Sequence, residues 1–332
     1  MSKPVLHAVG DVLLGLNVAG LMATHGYEYP FCQVSPVLQS ADLVFGNLEC
    51  PLSTRGQPFD PQQPGGKYFR APPEAVKGLC SAGFNVLNLA NNHILDFGPE
   101  AMADTMALLR ENGIHPLGVG ANRDEAHRPL YVTSQGLRVA FLDILVTARR
   151  ERNWPGSIPF DLKIMRADVR RARSEADVVI VSCHIGIEFF PYPLPQHRQI
   201  LHCLVDEGAD LILGHHPHVL QGIERYGRGV IIYSLGNFVF DIAYEAEEAQ
   251  TRPAASVLLG HAVEGASLDM LARSVIFRCE LNRGGITDFE LIPIRLNHQG
   301  QPAAVTGSEA KTILGEIERL SASPSRISAR AE

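Results

Sequence analysis

Leu211-Ile212-Leu213-Gly214-His215-His216-Pro217-His218 is a short apolar run that stops at a glycine and then releases three histidines within four residues. A run of that length bounded by turn residues reads as a buried strand, so the histidines stand at its C-terminal end. The same form recurs outward along the chain. Residues 5–9 run into Gly10-Asp11, residues 43–45 into Gly46-Asn47-Leu48-Glu49, residues 85–89 into Ala90-Asn91-Asn92-His93, and residues 178–181 into Ser182-Cys183-His184. Helical patterns fill the intervals at 74–82, 99–112, 162–175 and 196–207, and Gly83, Gly113 and Gly208 stand where three of these helices would close on a left-handed residue.

Strands alternating with helices predict a layered α/β fold in which ligands sit outside the carboxyl ends of the strands. The five polar ends are therefore expected to converge. With their neighbours they bring together Asp11, Asn47, Glu49, Asn92, His93, Asp96, His184, Glu188, His215, His216 and His218. Imidazole nitrogen mixed with carboxylate and amide oxygen is the composition of a divalent metal site, suited to zinc, manganese or iron(II), or to calcium where oxygen dominates. Packing gives no reason to gather histidines at adjoining loop tips, because burying them unpaired costs free energy. His7, His25, His115, His127, His197, His202, His261 and His298 fall elsewhere and take the ordinary surface or core reading.

The second half changes character. Residues 222–226, 230–233, 275–281 and 287–294 read as hairpin strands around Gly227-Arg228-Gly229 and Arg283-Gly284-Gly285, and are expected to form a second, mixed or antiparallel sheet packed on the first. Residues 308–319 read as a last amphipathic helix. The chain has 332 residues. Because α/β layers often exceed about 200 residues as one body, 1–320 is read as a single domain followed by a flexible tail at 321–332. Loops at 51–73, 146–161 and 241–255 are longer than ordinary connections, and the middle one carries Arg149, Arg150, Arg152 and the only tryptophan, Trp154.

Lysine and arginine number 29 against 36 acidic residues, a net charge of −7, which argues against a duplex nucleic acid as partner. The hydrophobic fraction of 45 % sets disordered and fibrous classes aside. The apolar stretch at the N-terminus is too short for a signal segment, and no run of apolar residues is long enough to span a bilayer, so a cytoplasmic protein without a membrane partner is expected. Six cysteines without a CxxC pair predict reduced thiols rather than a disulfide framework.

These motifs resemble the CapA family, the capsule-biosynthesis branch of the calcineurin-like metallophosphoesterases. The matching stretches are Gly10-Asp11-Val12-Leu13-Leu14-Gly15, Asn47-Leu48-Glu49, Asn91-Asn92-His93 with Asp96 and Gly98, His184-Ile185-Gly186-Ile187-Glu188 with Pro195-Gln196, Gly214-His215-His216-Pro217-His218-Val219, and Ser234-Leu235-Gly236-Asn237-Phe238. The resemblance implies a four-layer αββα sandwich, two mixed sheets flanked by helices, with a metal site at one sheet edge. It implies Asp11 and His218 as ligands at a first metal position, Glu49 as the bridge, and Asn92, His184 and His216 at a second position. His93 would be the acid/base histidine, oriented by Asp96, while Asn47, Glu188, His215 and Asn237 would stand behind the ligands or against substrate.

The chain also departs from the metallophosphoesterase pattern. That pattern begins Asp-x-His, where this chain has Leu13, and it bridges with aspartate, where this chain has Glu49. A first site short of one ligand predicts one tightly bound ion with an undetermined second, and a single ion favours proton transfer over in-line phosphoryl displacement. The acid/base pairs would be His93 with Asp96 and His218 with Asp11, the second pairing competing with direct ligation.

Family members linked to poly-γ-glutamate capsules usually carry an export signal or anchor, and relatives include peptide epimerases of lasso-peptide biosynthesis. The expectation is therefore a metal-dependent acid/base enzyme acting on a peptide or other carboxylate-bearing molecule, with epimerisation as its sharpest form. Arg149, Arg150 or Arg152 would grip the carboxylate unless they form a solvated basic loop. The alternatives are a metal-dependent phosphoester hydrolase and a non-catalytic factor of capsule or polyglutamate assembly.

Overall fold

A computed structural model describes residues 3–58, 67–146, 160–251 and 266–322. The strands are β1 (Val5–Val12), β2 (Leu43–Leu48), β3 (Val86–Asn88), β4 (His115–Leu117), β5 (Leu130–Ser134), β6 (Leu137–Val146), β7 (Val178–Ile185), β8 (Leu211–His215), β9 (Ile223–Tyr226), β10 (Gly229–Ile232), β11 (Asn237–Val239), β12 (Arg273–Asn282), β13 (Gly285–Leu296) and β14 (Pro302–Ala304). Apart from shorter helical turns, the helices are α1 (Leu16–His25), α2 (Val76–Ala82), α3 (Gly98–Glu111), α4 (Leu162–Glu175), α5 (Pro195–Asp206), α6 (Ile242–Thr251) and α7 (Gly307–Ser321).

Local chemistry accounts for the helix ends. Asp161 caps α4 by accepting the amides of Lys163 and Ile164 at 2.9 and 3.2 Å, and Met165, Asp168, Val169 and Ala172 then fall on one buried face at i, i+3, i+4 and i+7. Pro99 occupies the first turn of α3, and Gly83 ends α2 at φ 90°.

These elements form two mixed sheets flanked by helices. One runs β14-β13-β12-β1-β2-β3-β4 with β11 also pairing β1, and the other runs β5-β6-β7-β8-β10-β9. Val9, Val44, Leu79, Met102 and Leu109 pack α2 and α3 on the outer face of the first sheet. Phe45, Phe141, Ile180, Leu211 and Phe277 fill the space between the sheets, and Leu142, Val169, Val181 and Leu204 pack α4 and α5 on the second. That is the four-layer order expected from the resemblance.

Two expectations are corrected. The strands of the second half do not build a sheet of their own: β10 extends β8 in parallel, while β12 pairs antiparallel with β1, so one hairpin joins each sheet. Hairpin pairing is local, but the sheet that receives a hairpin is decided by which strand edge is open. The interval 241–255 is also not all loop, because Asp241 accepts the amide of Tyr244 and opens α6. The strands β4, β5, β6, β11 and β14 and the helix α1 are not among the elements read from the sequence. Helix α7 reaches Ser321, the first residue of the expected tail, and 323–332 lie outside the described residues. All six cysteines are free thiols. Among the described residues no helix is long and apolar enough to cross a membrane.

Candidate metal centre

The C-terminal ends of β1, β2, β3, β7 and β8 meet at one edge, where the two sheets face each other. Parallel pairing sets Asp11 opposite Asn47 on one side and Asn237 on the other, and sets His184 opposite His215. Close approach of the backbones depends on Gly10, where a Cβ would lie 1.8 Å from the Gly236 carbonyl oxygen. Beyond β8 the chain turns sharply. His216 and His218 adopt φ values of 96° and 60°, conformations that side chains rarely tolerate and that tend to persist at functional sites.

Asp11 is the hub. Its Oδ1 accepts Asn47 Nδ2 at 2.8 Å and lies 3.2 Å from His215 Nδ1, while its Oδ2 accepts the His216 amide at 3.3 Å and lies 3.4 Å from His218 Nδ1. Glu49 Oε1 sits 3.6 Å from His184 Nε2 and 3.7 Å from His218 Nε2. Asn92 Oδ1 is 2.7 Å from His184 Nε2. Among the described residues three sets of ligating atoms converge within 4.8 Å: Glu49 with His184 and His216, Asp11 with Glu49 and His218, and Glu188 with His216 and His218.

Beside this cluster His93 Nδ1 lies 2.7 Å from Asp96 Oδ2, which also accepts the Phe69 amide at 2.7 Å. The His93 ring is buried against Phe69, with centroids 4.2 Å apart.

Electrostatics explain what such a cluster requires. Burial, reinforced by Asp11, Glu245, Glu188 and Asp96, pushes the Glu49 carboxyl well above its ordinary range. Burial also raises the Asp11 carboxyl, but the hydrogen bond from His215 and the nearby His218 outweigh it and hold Asp11 below that range. Glu188 is drawn down to about 2, because His216, His218 and Lys67 overcome the cost of burial. Burial lowers His184 well below 6.5, with His216 adding to it, and lowers His216 to about 4. The imidazoles of His184 and His216, held neutral, therefore present lone pairs beside the Glu49 carboxyl. Both oxygens of Glu49 and Nδ1 of His216 are buried without a hydrogen bond. A divalent ion fits this set, since it would satisfy these atoms and offset the repulsion among the carboxylates.

The structure thus brings together Asp11, Asn47, Glu49, Asn92, His93, Asp96, His184, Glu188, His215, His216, His218 and Asn237. Leu13 turns into the hydrophobic core instead. Asn237 stands behind His218, with Oδ1 3.0 Å from its Nδ1. Arg149, Arg150 and Arg152 lie outside the described residues.

Sequence reading missed Glu245 and Lys67. Glu245 is buried, and its Oε1 lies 3.3 Å from His218 Nδ1. Its signal was available: an aspartate cap followed by the helix-forming Ile242-Ala243-Tyr244-Glu245-Ala246-Glu247-Glu248-Ala249. Lys67 pairs with Glu248 at 2.5 Å and lies 5.9 and 5.7 Å from the Phe189 and Tyr244 ring centroids. Nothing local distinguishes it in the sequence.

Residues 5–242 match the family model described as "Bacterial capsule synthesis protein PGA_cap". The capsule biosynthesis protein CapA of Bacillus anthracis is 36 % identical over 247 residues, a match covering 72 % of this chain and 60 % of that protein's own length. The PGA biosynthesis protein CapA of Bacillus subtilis (strain 168) is 32 % identical over 327 residues, covering 96 % of this chain and 79 % of that protein. Among solved structures, a phosphatase of Mycoplasma pneumoniae superimposes with a TM-score of 0.55 at 15 % identity, over 89 % of this chain and 94 % of that one. That likeness concerns the fold.

Proposed function

Because the chain belongs to the bacterial capsule synthesis family and carries the calcineurin-like metallophosphoesterase fold, we propose that it is a metal-dependent enzyme that moves a proton through His93 on a carboxylate-bearing peptide. The resemblance to the poly-γ-glutamate capsule branch, with relatives named for PGA biosynthesis and for polyglutamine synthesis, makes a polymer of glutamyl or glutaminyl residues the first peptide to consider. Epimerisation at an α-carbon is the sharpest form of the proposal.

One observation carries this reading. Asp96 receives His93 Nδ1 at 2.7 Å and is itself held by the Phe69 amide, which fixes the proton on Nδ1 and leaves Nε2 as the working edge of a buried imidazole beside the ligand cluster. Glu49, His184 and His216, with Asn92, would hold the ion, and Asp11, Glu49 and His218 a second. A bound divalent ion would supply Lewis-acid polarisation of a carboxylate or amide carbonyl.

His93 Nε2 would take the α-proton from one face while the electron pair passes into the polarised carbonyl, and epimerisation is completed when a solvent-derived proton is returned to the opposite face of the same carbon. Lys67, whose charge helps hold Glu188 ionised, is paired with Glu248 and would exchange that partner to grip a substrate carboxylate. His218 suits the role of ligand better than that of proton carrier. Its Nδ1 faces Asp11, Asn237 and Glu245, all of them acceptors, so its lone pair points from Nε2 towards Glu49.

A second reading, phosphoester hydrolysis, is favoured by the sharing of Glu49 between two of the converging sets, which would let two ions draw on one carboxylate. The test is incubation of the metal-loaded protein with glutamyl peptides in deuterated water, beside a generic phosphoester. Deuterium at an α-carbon, reduced about 100-fold or more in His93→Ala, supports proton transfer. Phosphoester turnover without deuterium exchange would move the assignment to hydrolysis. Binding of polyglutamate with no turnover, unchanged in His93→Ala, would leave an assembly factor.

A further inference from the structure

Helix α6 lies almost wholly beyond the stretch matched to the family, yet it inserts a carboxylate into the site. We infer that Glu245 is a positioning residue which, through Asn237, fixes the tautomer of His218 and so turns the His218 Nε2 lone pair towards Glu49. This rests on the reading that the site holds a divalent ion.

Hydrogen-bond direction carries the inference. The Asn237 side-chain amide has one donating and one accepting end, and its Nδ2 faces two acceptors, Glu245 Oε2 at 2.5 Å and the Leu271 carbonyl at 3.3 Å. That orientation leaves Oδ1 towards His218 Nδ1 at 3.0 Å. An oxygen there can only accept, so Nδ1 carries the proton and Nε2, 3.7 Å from Glu49 Oε1, is left unprotonated. Glu245 Oε1 lies 3.3 Å from the same Nδ1, so the carboxyl packs against both the amide and the ring. Glu245 belongs to none of the converging ligand sets among the described residues, so it acts through the imidazole rather than on the ion.

The helix that carries Glu245 is tied at both ends. Asp241 accepts the Asn17 amide of α1 at 3.2 Å, and Glu248, one turn beyond Glu245 on the same face, pairs with Lys67. As a device for stability alone the residue is a poor one. A buried carboxylate near Asp11 and Glu188 is repelled, and a packed apolar side chain would serve better.

The test uses full-length protein with 15N-labelled histidine. Nitrogen–proton correlation spectra of the metal-free form report the His218 tautomer in wild type, Glu245→Gln and Glu245→Leu, and calorimetric titration with Mn2+ reports affinity. A protonated Nδ1 is expected in wild type and a mixed tautomer in Glu245→Leu, with Mn2+ binding weakened about 10- to 100-fold in that variant and less in the near-isosteric Glu245→Gln. A purely structural role would lower the melting temperature without moving the tautomer. An unchanged tautomer with Mn2+ affinities within about twofold of wild type in both variants overturns the inference. Absence of Mn2+ binding in wild type would instead defeat the metal reading, while the tautomer comparison still decides the role of Glu245.

Discussion

Glu49→Gln should stabilise the metal-free protein and abolish its response to metal. The wild-type carboxyl is buried, neither oxygen has a hydrogen bond, and burial together with neighbouring carboxylates raises its pKa well above 4.5. A folded carboxyl that titrates above its unfolded value contributes fully below about pH 4.5 and loses that contribution as pH rises. Keeping it protonated at about pH 7 costs up to roughly 3 kcal/mol, at about 1.4 kcal/mol per pH unit, and glutamine avoids that cost at nearly the same volume.

For 332 residues the unfolding entropy is about 0.7 kcal/mol per kelvin, so the gain amounts to at most roughly 4 °C in melting temperature. It should vanish near pH 4.5. A divalent ion at about 100 times its dissociation constant adds about 2.7 kcal/mol to wild type, again roughly 4 °C, and almost nothing to the variant. Differential scanning fluorimetry at both pH values, with chelator and with Mn2+, measures all four quantities. The reasoning fails if Glu49→Gln melts below wild type in chelator at pH 7, or if Mn2+ stabilises both proteins equally.

Gly10→Ala should loosen β1 from β11, since its methyl would sit 1.8 Å from the Gly236 oxygen, at a cost of about 1–3 kcal/mol by chemical denaturation. The same variant should bind Mn2+ more weakly in calorimetry, because Asp11 and Asn237 are register partners across that pairing. Asp210→Ala tests the fold apart from the site. Its buried carboxylate accepts Arg173 and Arg228, each at 2.7 Å, and the Val179 amide at 2.8 Å, so removal should cost about 3 kcal/mol or more in urea titration while metal content by mass spectrometry stays at the wild-type value.

Much of this site is written locally. An apolar run that ends in Gly-His-His-Pro-His or Asn-Asn-His announces a buried strand with polar residues at its tip, and in an alternating α/β chain such tips are bound to share one edge. The sequence by itself thus determined the five strands that carry these tips, the helix that Asp161 opens, the polar positions from Asp11 to His218 and the family resemblance, because each depends on periodicity or spacing within a few residues. Other features depend on partners far along the chain. Which sheet receives each late hairpin follows from the open edges of β1 and β8, and the arrival of Lys67 beside Glu248 follows from packing across 181 residues of chain. Glu245 lies between these cases: its helix was legible in composition, but its reach to His218 and Asn237 was not. Tertiary structure alone decided that the imidazole faces Asp11, Asn237 and Glu245 on one side and Glu49 on the other, because hydrogen-bond direction is set by every neighbour at once and no single stretch of sequence contains them all.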